Sequence, residues 1–106
     1  MATENELHYM ERVREDVERC RRFVGRDPTS QAAESVRHVT NGIHEVWENP
    51  ELQAVAKHHP DTGVEFRCHY VSQFAIVYAY FPPTPSTARG LVSIRAVRYE
   101  HEGRFY

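Results

Sequence analysis

The residues of this sequence that could do chemistry are basic and hydroxyl-bearing side chains spaced along its second half. Arg67 and His69 alternate in one strand-like stretch, and Ser93 and Arg95 alternate in another. Because alternate residues of a strand point to the same side, each pair should share one face of a sheet. Further basic or phenolic side chains follow towards the end of the chain: Arg98, His101, Arg104 and Tyr106. The pattern predicts a basic surface on the side of the sheet that helices leave open.

This predicted surface is suited to phosphate groups, because the guanidinium fork of arginine matches their oxygens. It would also suit RNA transesterification. That reaction needs a group that takes the 2′-OH proton, cations that stabilise the phosphorane charge, and an acid for the 5′-oxygen. Arg, His and Tyr can fill those roles. The same side chains also fit a plainer interpretation, as solvated residues of a strand and of a chain terminus.

The charge of the chain and the period of its apolar residues both change near Lys57. Residues 1–56 carry 7 Lys and Arg against 11 Asp and Glu, whereas residues 57–106 carry 6 against 4. The formal net charge of −2 gives no global case for nucleic-acid binding, so any such surface must be local. A chain of 106 residues suits a single domain, 1–106, with one modest core.

Composition favours a cytoplasmic protein without membrane contact. No apolar run approaches the roughly 20 residues of a membrane span, and the first residues are acidic and polar, unlike a signal peptide. Cys20 and Cys68 lack CxxC spacing and lie on the apolar phase of their segments, which favours buried free thiols over a disulfide. The pair His58 and His59 has no third ligand at metal-site spacing, so neither a metal nor a cofactor is expected.

The first half of the chain predicts two helices. Thr3-x-x-Glu6 fits a capping box at the first helix start. Asp27-Pro28 fits the start of the second, and Asn49-Pro50 its end. The two apolar stripes at helical spacing are Met10, Val13, Val17, Cys20 and Val24, then Ala32, Val36, Val39, Ile43 and Val46. The short connection between them predicts an antiparallel αα-hairpin.

The second half predicts a meander of strands over residues 64–71, 74–81 and 91–98. A tight turn at Ser72-Gln73 and a proline-rich loop over residues 82–90 join them. The fold class predicted is α+β, with an N-terminal antiparallel two-helix hairpin packed on a small antiparallel sheet of three to four strands. Residues 6–10 could supply a further strand, in competition with the capping-box helix.

Several stretches of the chain carry a family resemblance, from about Met10 to the end. They are Glu11-Arg12-Val13-Arg14-Glu15-Asp16-Val17, residues 26–33 with Asp27-Pro28 before Ala32-Ala33, residues 43–52, Phe66-Arg67-Cys68-His69-Tyr70, Phe74-Ala75-Ile76-Val77-Tyr78, Ile94-Arg95-Ala96-Val97, and the basic residues His101 and Arg104. In this order and spacing they resemble the RelE/ParE superfamily of type II toxin–antitoxin toxins.

The resemblance implies a toxin that is held inactive by a cognate antitoxin protein in a toxin–antitoxin hetero-oligomer. The ParE-like, plasmid-stabilisation branch inhibits DNA gyrase and is not an enzyme, and the helical hairpin favours this branch. The alternative is the RelE-like branch, a metal-independent endoribonuclease that cleaves ribosome-bound mRNA. The chain could also be an inactive member that retains only antitoxin binding, or an unrelated α+β interaction module.

The resemblance also implies site residues. If the chain is a ribonuclease, its catalytic residues are Arg67 and Arg95 on the strands, with His101 or Tyr106 as the acid–base group. The residues implied in binding the target or antitoxin are Arg67, His69, Arg95, Arg98 and Arg104.

Overall fold

The computed structural model describes residues 5–25 and 32–99 of the chain. Their elements, in chain order, are β1 (Glu6–Tyr9), α1 (Arg12–Gly25), α2 (Ala32–Glu48), β2 (Val55–His58), β3 (Glu65–Val71), β4 (Phe74–Phe81) and β5 (Leu91–Tyr99). The strands form one sheet in the order β1-β5-β4-β3-β2. β1 runs parallel to β5 and every other pair is antiparallel, so the sheet is mixed.

The predicted architecture is wrong in two respects, although the α+β class agrees. The described chain opens with a strand and not with a helical hairpin, and the sheet has five strands of mixed direction instead of three or four antiparallel ones. The capping-box interpretation fails because Glu6 belongs to β1, where its N–H donates to the Gly90 carbonyl at 2.8 Å. α1 begins only at Arg12. Thr3 lies outside the described residues.

Strand β1 is held from both sides. Along β5, the Met10 N–H donates to the Ile94 carbonyl at 2.9 Å and continues the ladder past the strand end. On the helical side, the indole Nε1 of Trp47 donates to the Asn5 carbonyl at 2.7 Å. The Asn5 amide returns a weaker bond to the Trp47 carbonyl at 3.4 Å. These non-local bonds override the local helix signal.

The helices cover one face of the sheet. α1 packs chiefly on β5, and α2 packs on β3 and β4. α2 ends at Glu48, as predicted from Asn49-Pro50. The predicted helix start at Asp27-Pro28 lies outside the described residues. None of the helices within the described ranges is long and apolar enough to cross a membrane.

The core lies mainly between the helices and the sheet, with a smaller cluster on the opposite side. Its buried members are Val13, Cys20, Val39, Ile43, Val46, Phe74, Ile76, Tyr78, Val92, Ile94, Val97 and Tyr99. The side of the sheet away from the helices, which we call the open face, carries the smaller cluster of Cys68, Ala75, Val77 and Ala96. β4 therefore buries both of its phases, as its continuous apolar run predicts. Cys20 and Cys68 are buried free thiols, as predicted.

Candidate functional site

The faces of β3 are the reverse of those predicted. Val71 packs against the helix-side core, and His69 Nε2 lies 3.6 Å from Glu45 Oε2 on α2. Cys68 and Phe66 lie instead on the open face. Alternation could not decide this, because each phase of the strand contains apolar residues. The prediction that Arg67 and His69 point away from the helices is therefore wrong.

Arg95 does lie on the open face, as predicted, and an irregularity of β5 contributes to its position. The neighbouring β4 residues Val77 and Tyr78 pair with Ala96 and Ile94 of β5. Arg95 lies between these two β5 residues and has no partner of its own on β4, so it is an extra residue in the ladder. A β-bulge of this kind re-aims a side chain and bends the strand. The guanidinium carbon of Arg95 lies 5.7 Å from the centroid of the Phe66 ring, which is a cation–π distance.

A cavity of about 400 Å³ opens on this face, and we call it the basic pocket. Its basic lining residues are Arg12, Lys57, His59, Arg67, Arg95 and Arg98. Its other lining residues are Ala56, Pro60, Phe66, Cys68, Val77 and Ala96. No Asp or Glu belongs to this described lining. The pocket therefore combines an apolar surface with cations, which suits an anion that carries an apolar or aromatic part.

The cations of the basic pocket come from separate elements. Arg12 is the first residue of α1, Lys57 comes from the edge strand β2, and Arg67 comes from β3. Arg95 and Arg98 come from β5. Arg12 and Lys57 were not predicted as site residues, because no spacing in the sequence connects a helix start with an edge strand.

The carboxylate of Asp16 orients the cationic side chains on the side of the pocket where α1 meets β5. The residue is 2% exposed, and its Oδ2 accepts the Val97 backbone N–H at 3.0 Å. Its Oδ1 lies 2.8 Å from Arg98 Nη1 and accepts a bond from Arg19 Nη1 at 3.0 Å. Arg12 Nε lies 3.7 Å from Oδ2. One buried carboxylate thus orients several cations and leaves the cluster net positive.

The signal that could have revealed Asp16 lies in the first helical stripe. Asp16 falls three residues after Val13 and next to Val17, on the face that turns towards the sheet. A carboxylate on such a face is buried and must be paired. The stripe alone did not show which partner it would meet.

His69 contributes to the fold more than to the pocket. Its side chain is buried, and the Gln53 amide donates to its Nδ1 at 3.1 Å. This bond leaves Nε2 with the proton, facing Glu45, in the tautomer that the network indicates. Arg67 Nη1 donates to the Gln53 carbonyl and also borders the pocket. Gln53, in the segment between α2 and β2, therefore holds both predicted β3 residues, and Arg67 also borders the basic pocket.

His59 is a pocket residue whose ring is oriented by its own loop. The backbone N–H groups of Asp61 and Thr62 donate to its Nδ1 at 3.2 and 3.3 Å. The proton of the neutral ring is then on Nε2, which can donate a hydrogen bond.

The predicted tail residues His101, Arg104 and Tyr106 lie outside the described residues, so their roles stay predictions. Within residues 5–25 and 32–99, no group of three or more His, Cys, Asp or Glu side chains could hold a metal ion.

No protein-family model matches the chain, and no curated protein matches it. The function is therefore inferred from the family resemblance and from the basic pocket.

Proposed function

We propose that this chain is the toxin of a type II toxin–antitoxin system, neutralised by an antitoxin protein encoded beside it. Two observations support the proposal. The resembling stretches keep the order of the RelE/ParE superfamily. Members of that family generally open with a strand that pairs into the sheet, and β1 is a strand of this kind. The antitoxin is expected to contribute acidic and apolar residues, because the open face presents both cations and apolar side chains.

We choose between mRNA and DNA gyrase as the target on the basis of the basic pocket. Its cations line a cavity without a carboxylate among its described lining residues, and phosphates are among the anions whose oxygens the guanidinium fork matches. This favours mRNA as the target, with the protein acting as a ribosome-dependent endoribonuclease. The segment on which the gyrase alternative rests, Asp27-Pro28 before Ala32-Ala33, begins outside the described residues, so the basic pocket is the observation that bears on the target.

In this proposal the described residues bind and stabilise the reacting phosphate. Arg12 and Arg98 would balance the charge that develops on the phosphorane oxygens, and His59 Nε2 would donate a hydrogen bond to one of them. Proton transfer needs a different group, since His59 Nδ1 is engaged by its loop. His101 and Tyr106 remain the candidates for that step.

Expression from an inducible promoter in a bacterium that lacks the antitoxin tests the proposal. Growth should stop on induction and resume when the adjacent small reading frame is expressed with it. Normal growth with abundant soluble protein would contradict a toxin and would favour an inactive, antitoxin-binding member or an unrelated interaction module.

Purified protein separates the two targets. Cleavage of ribosome-bound mRNA, with unchanged supercoiling by DNA gyrase, is the expected result. Inhibition of supercoiling without mRNA cleavage would identify the ParE-like activity instead.

A further inference from the structure

The ring of Phe66 is an aromatic surface inside the basic pocket. It packs against the open-face cluster that contains Cys68 and Val77, and it also lines the cavity. The guanidinium group of Arg95 stands 5.7 Å from its centroid. An aromatic ring and a guanidinium plane next to backbone-binding cations form the arrangement on which unpaired bases stack.

We propose that the basic pocket holds one nucleotide of single-stranded RNA, with its base stacked at the Phe66–Arg95 pair and its phosphate against Arg12, Lys57 and Arg98. This inference rests on the proposed function, because it names the part of an RNA that the same site recognises. Phe66 is then the residue that determines recognition of the base, and the cations bind the backbone of any sequence.

The size and shape of the pocket fit this assignment. A cavity of about 400 Å³ lies in the range of small-molecule sites, which is the size class of a single nucleotide. The apolar residues Ala56, Pro60 and Ala96 line it together with Phe66. A base inside a duplex already stacks on its neighbours and would have to leave the helix first. The pocket should therefore prefer single strands to duplexes.

On the side of the basic pocket that is formed by α1, the cationic side chains are placed to bind a phosphate. Arg12 and Arg98 both lie near the Asp16 carboxylate, at 3.7 and 2.8 Å, which limits their freedom before a ligand arrives. Prior ordering of this kind lowers the entropy that binding must overcome. Lys57 reaches the same cavity from β2 on the opposite edge of the site.

Fluorescence anisotropy with two labelled probes tests the inference. One probe is a short single-stranded RNA with 2′-O-methyl groups, which has bases but no 2′-OH that can react. The other is an abasic sugar–phosphate oligomer of the same length and charge. Wild-type protein should bind the probe with bases about 5- to 100-fold more tightly. Equal affinity for the two probes would overturn the proposal without the need for any variant.

Variants then assign the difference to Phe66. Phe66→Leu should remove most of the preference for bases and leave the affinity for the abasic probe unchanged, whereas Phe66→Tyr should keep the preference. Tyr9 is an exposed tyrosine that lines a different groove. Tyr9→Leu is therefore the matched control and should behave as wild type. A Phe66→Leu protein that keeps the full preference would overturn the assignment, provided that circular dichroism shows it folded.

The outcomes also separate this inference from the proposed function. If wild-type protein stops growth and binds both probes equally, the toxin proposal stands and base stacking fails. If it neither stops growth nor binds either probe, both fail.

Discussion

Asp16 Oδ1 and Arg98 Nη1 lie 2.8 Å apart, and this ion pair joins helix α1 to strand β5 beside the basic pocket. The same carboxylate accepts the Val97 backbone N–H from β5, so one buried side chain serves both the fold and the orientation of pocket cations. Removing one partner of a buried pair leaves the other charge without compensation.

Replacing Asp16 should destabilise the protein more than its position on a surface helix suggests. Asp16→Asn keeps an oxygen for Val97 but loses the charge that faces Arg98 and Arg19, so the free energy of unfolding should fall by about 3 kcal/mol. Urea unfolding followed by circular dichroism measures this change. Glu15→Gln, an exposed neighbour on α1, is the control and should stay within about 0.5 kcal/mol of wild type. Equal unfolding midpoints for the two variants would show that the buried ion pair contributes nothing.

Gly42 marks the closest approach of α2 to the sheet. A Cβ at this position would lie 2.5 Å from Val71 Cγ2 and 2.6 Å from Ile76 Cδ1, well inside contact distance. Gly42→Ala should therefore destabilise by about 1–3 kcal/mol through overpacking, although alanine is the better helix former.

The control for Gly42 is Asn41→Ala, which is exposed on the same helix and should stabilise slightly because alanine has the higher helix propensity. Thermal unfolding compares the two variants. A rise in melting temperature for Gly42→Ala would mean that α2 does not sit this close to β3 and β4.

The stability of the protein should fall in alkaline solution because of Tyr78. Burial raises the pKa of this phenol above its usual 10.0, and Arg67 and the backbone at Gln53 oppose the shift only in part. The unfolded chain therefore loses this proton at lower pH than the folded one, so the contribution is intact below about pH 10 and is lost as the pH rises through the folded pKa.

Tyr78→Phe should reduce this loss of stability above pH 10. At pH 8 the variant should be less stable by about 1 kcal/mol, because the Tyr78 hydroxyl donates to the Pro50 carbonyl at 2.8 Å. Urea unfolding of wild type, Tyr78→Phe and the exposed control Tyr70→Phe at pH 8 to 11 measures both effects. An unchanged slope for Tyr78→Phe would place the alkaline sensitivity elsewhere.

Arg12 should contribute a phosphate contact that is independent of base stacking. Arg12→Gln is expected to weaken binding of single-stranded RNA and to lower the slope of log affinity against log salt by about 0.7, the value for one phosphate contact on a single strand. Arg14→Gln is the matched control, since Arg14 lies on the same helix but lines the groove between α1 and α2. Salt titrations of the two variants that give the same slope would remove Arg12 from the site.

Parts of the fold could be predicted because the local signal and the tertiary structure agree. Strand β4 reads as apolar on both phases and is buried on both faces. The turn at Ser72-Gln73 is also present, with Ser72 at a φ of 55°, a value that a two-residue hairpin turn requires. The end of α2 follows from the proline at position 50.

Other parts depend on contacts that the sequence does not encode locally. β1 has four residues and is defined by its pairing with β5, which lies far away in the sequence. The local capping motif therefore predicted a helix where the structure has a strand. β2 is an exposed edge strand whose single half-buried residue, Val55, gives no alternation. The faces of β3 could not be assigned since both phases include apolar residues, and the reversed assignment moved His69 from the site to the helix side.

The candidate site was predicted only in its β5 residues and Arg67. Arg95 and Arg98 are close in sequence and reach the same cavity. Arg12, Lys57 and His59 join them through the tertiary fold, from a helix start, an edge strand and a loop. No periodicity connects such positions.

Growth after induction tests most directly the central claim that the basic pocket is the working site of a toxin. Wild-type protein and Arg89→Gln, a control in the exposed loop before β5, should stop growth when expressed without the antitoxin. Arg95→Gln, expressed to the same level by immunoblot and folded by circular dichroism, should allow growth. Growth arrest by Arg95→Gln equal to that of wild type, or no arrest by wild type, would contradict the account.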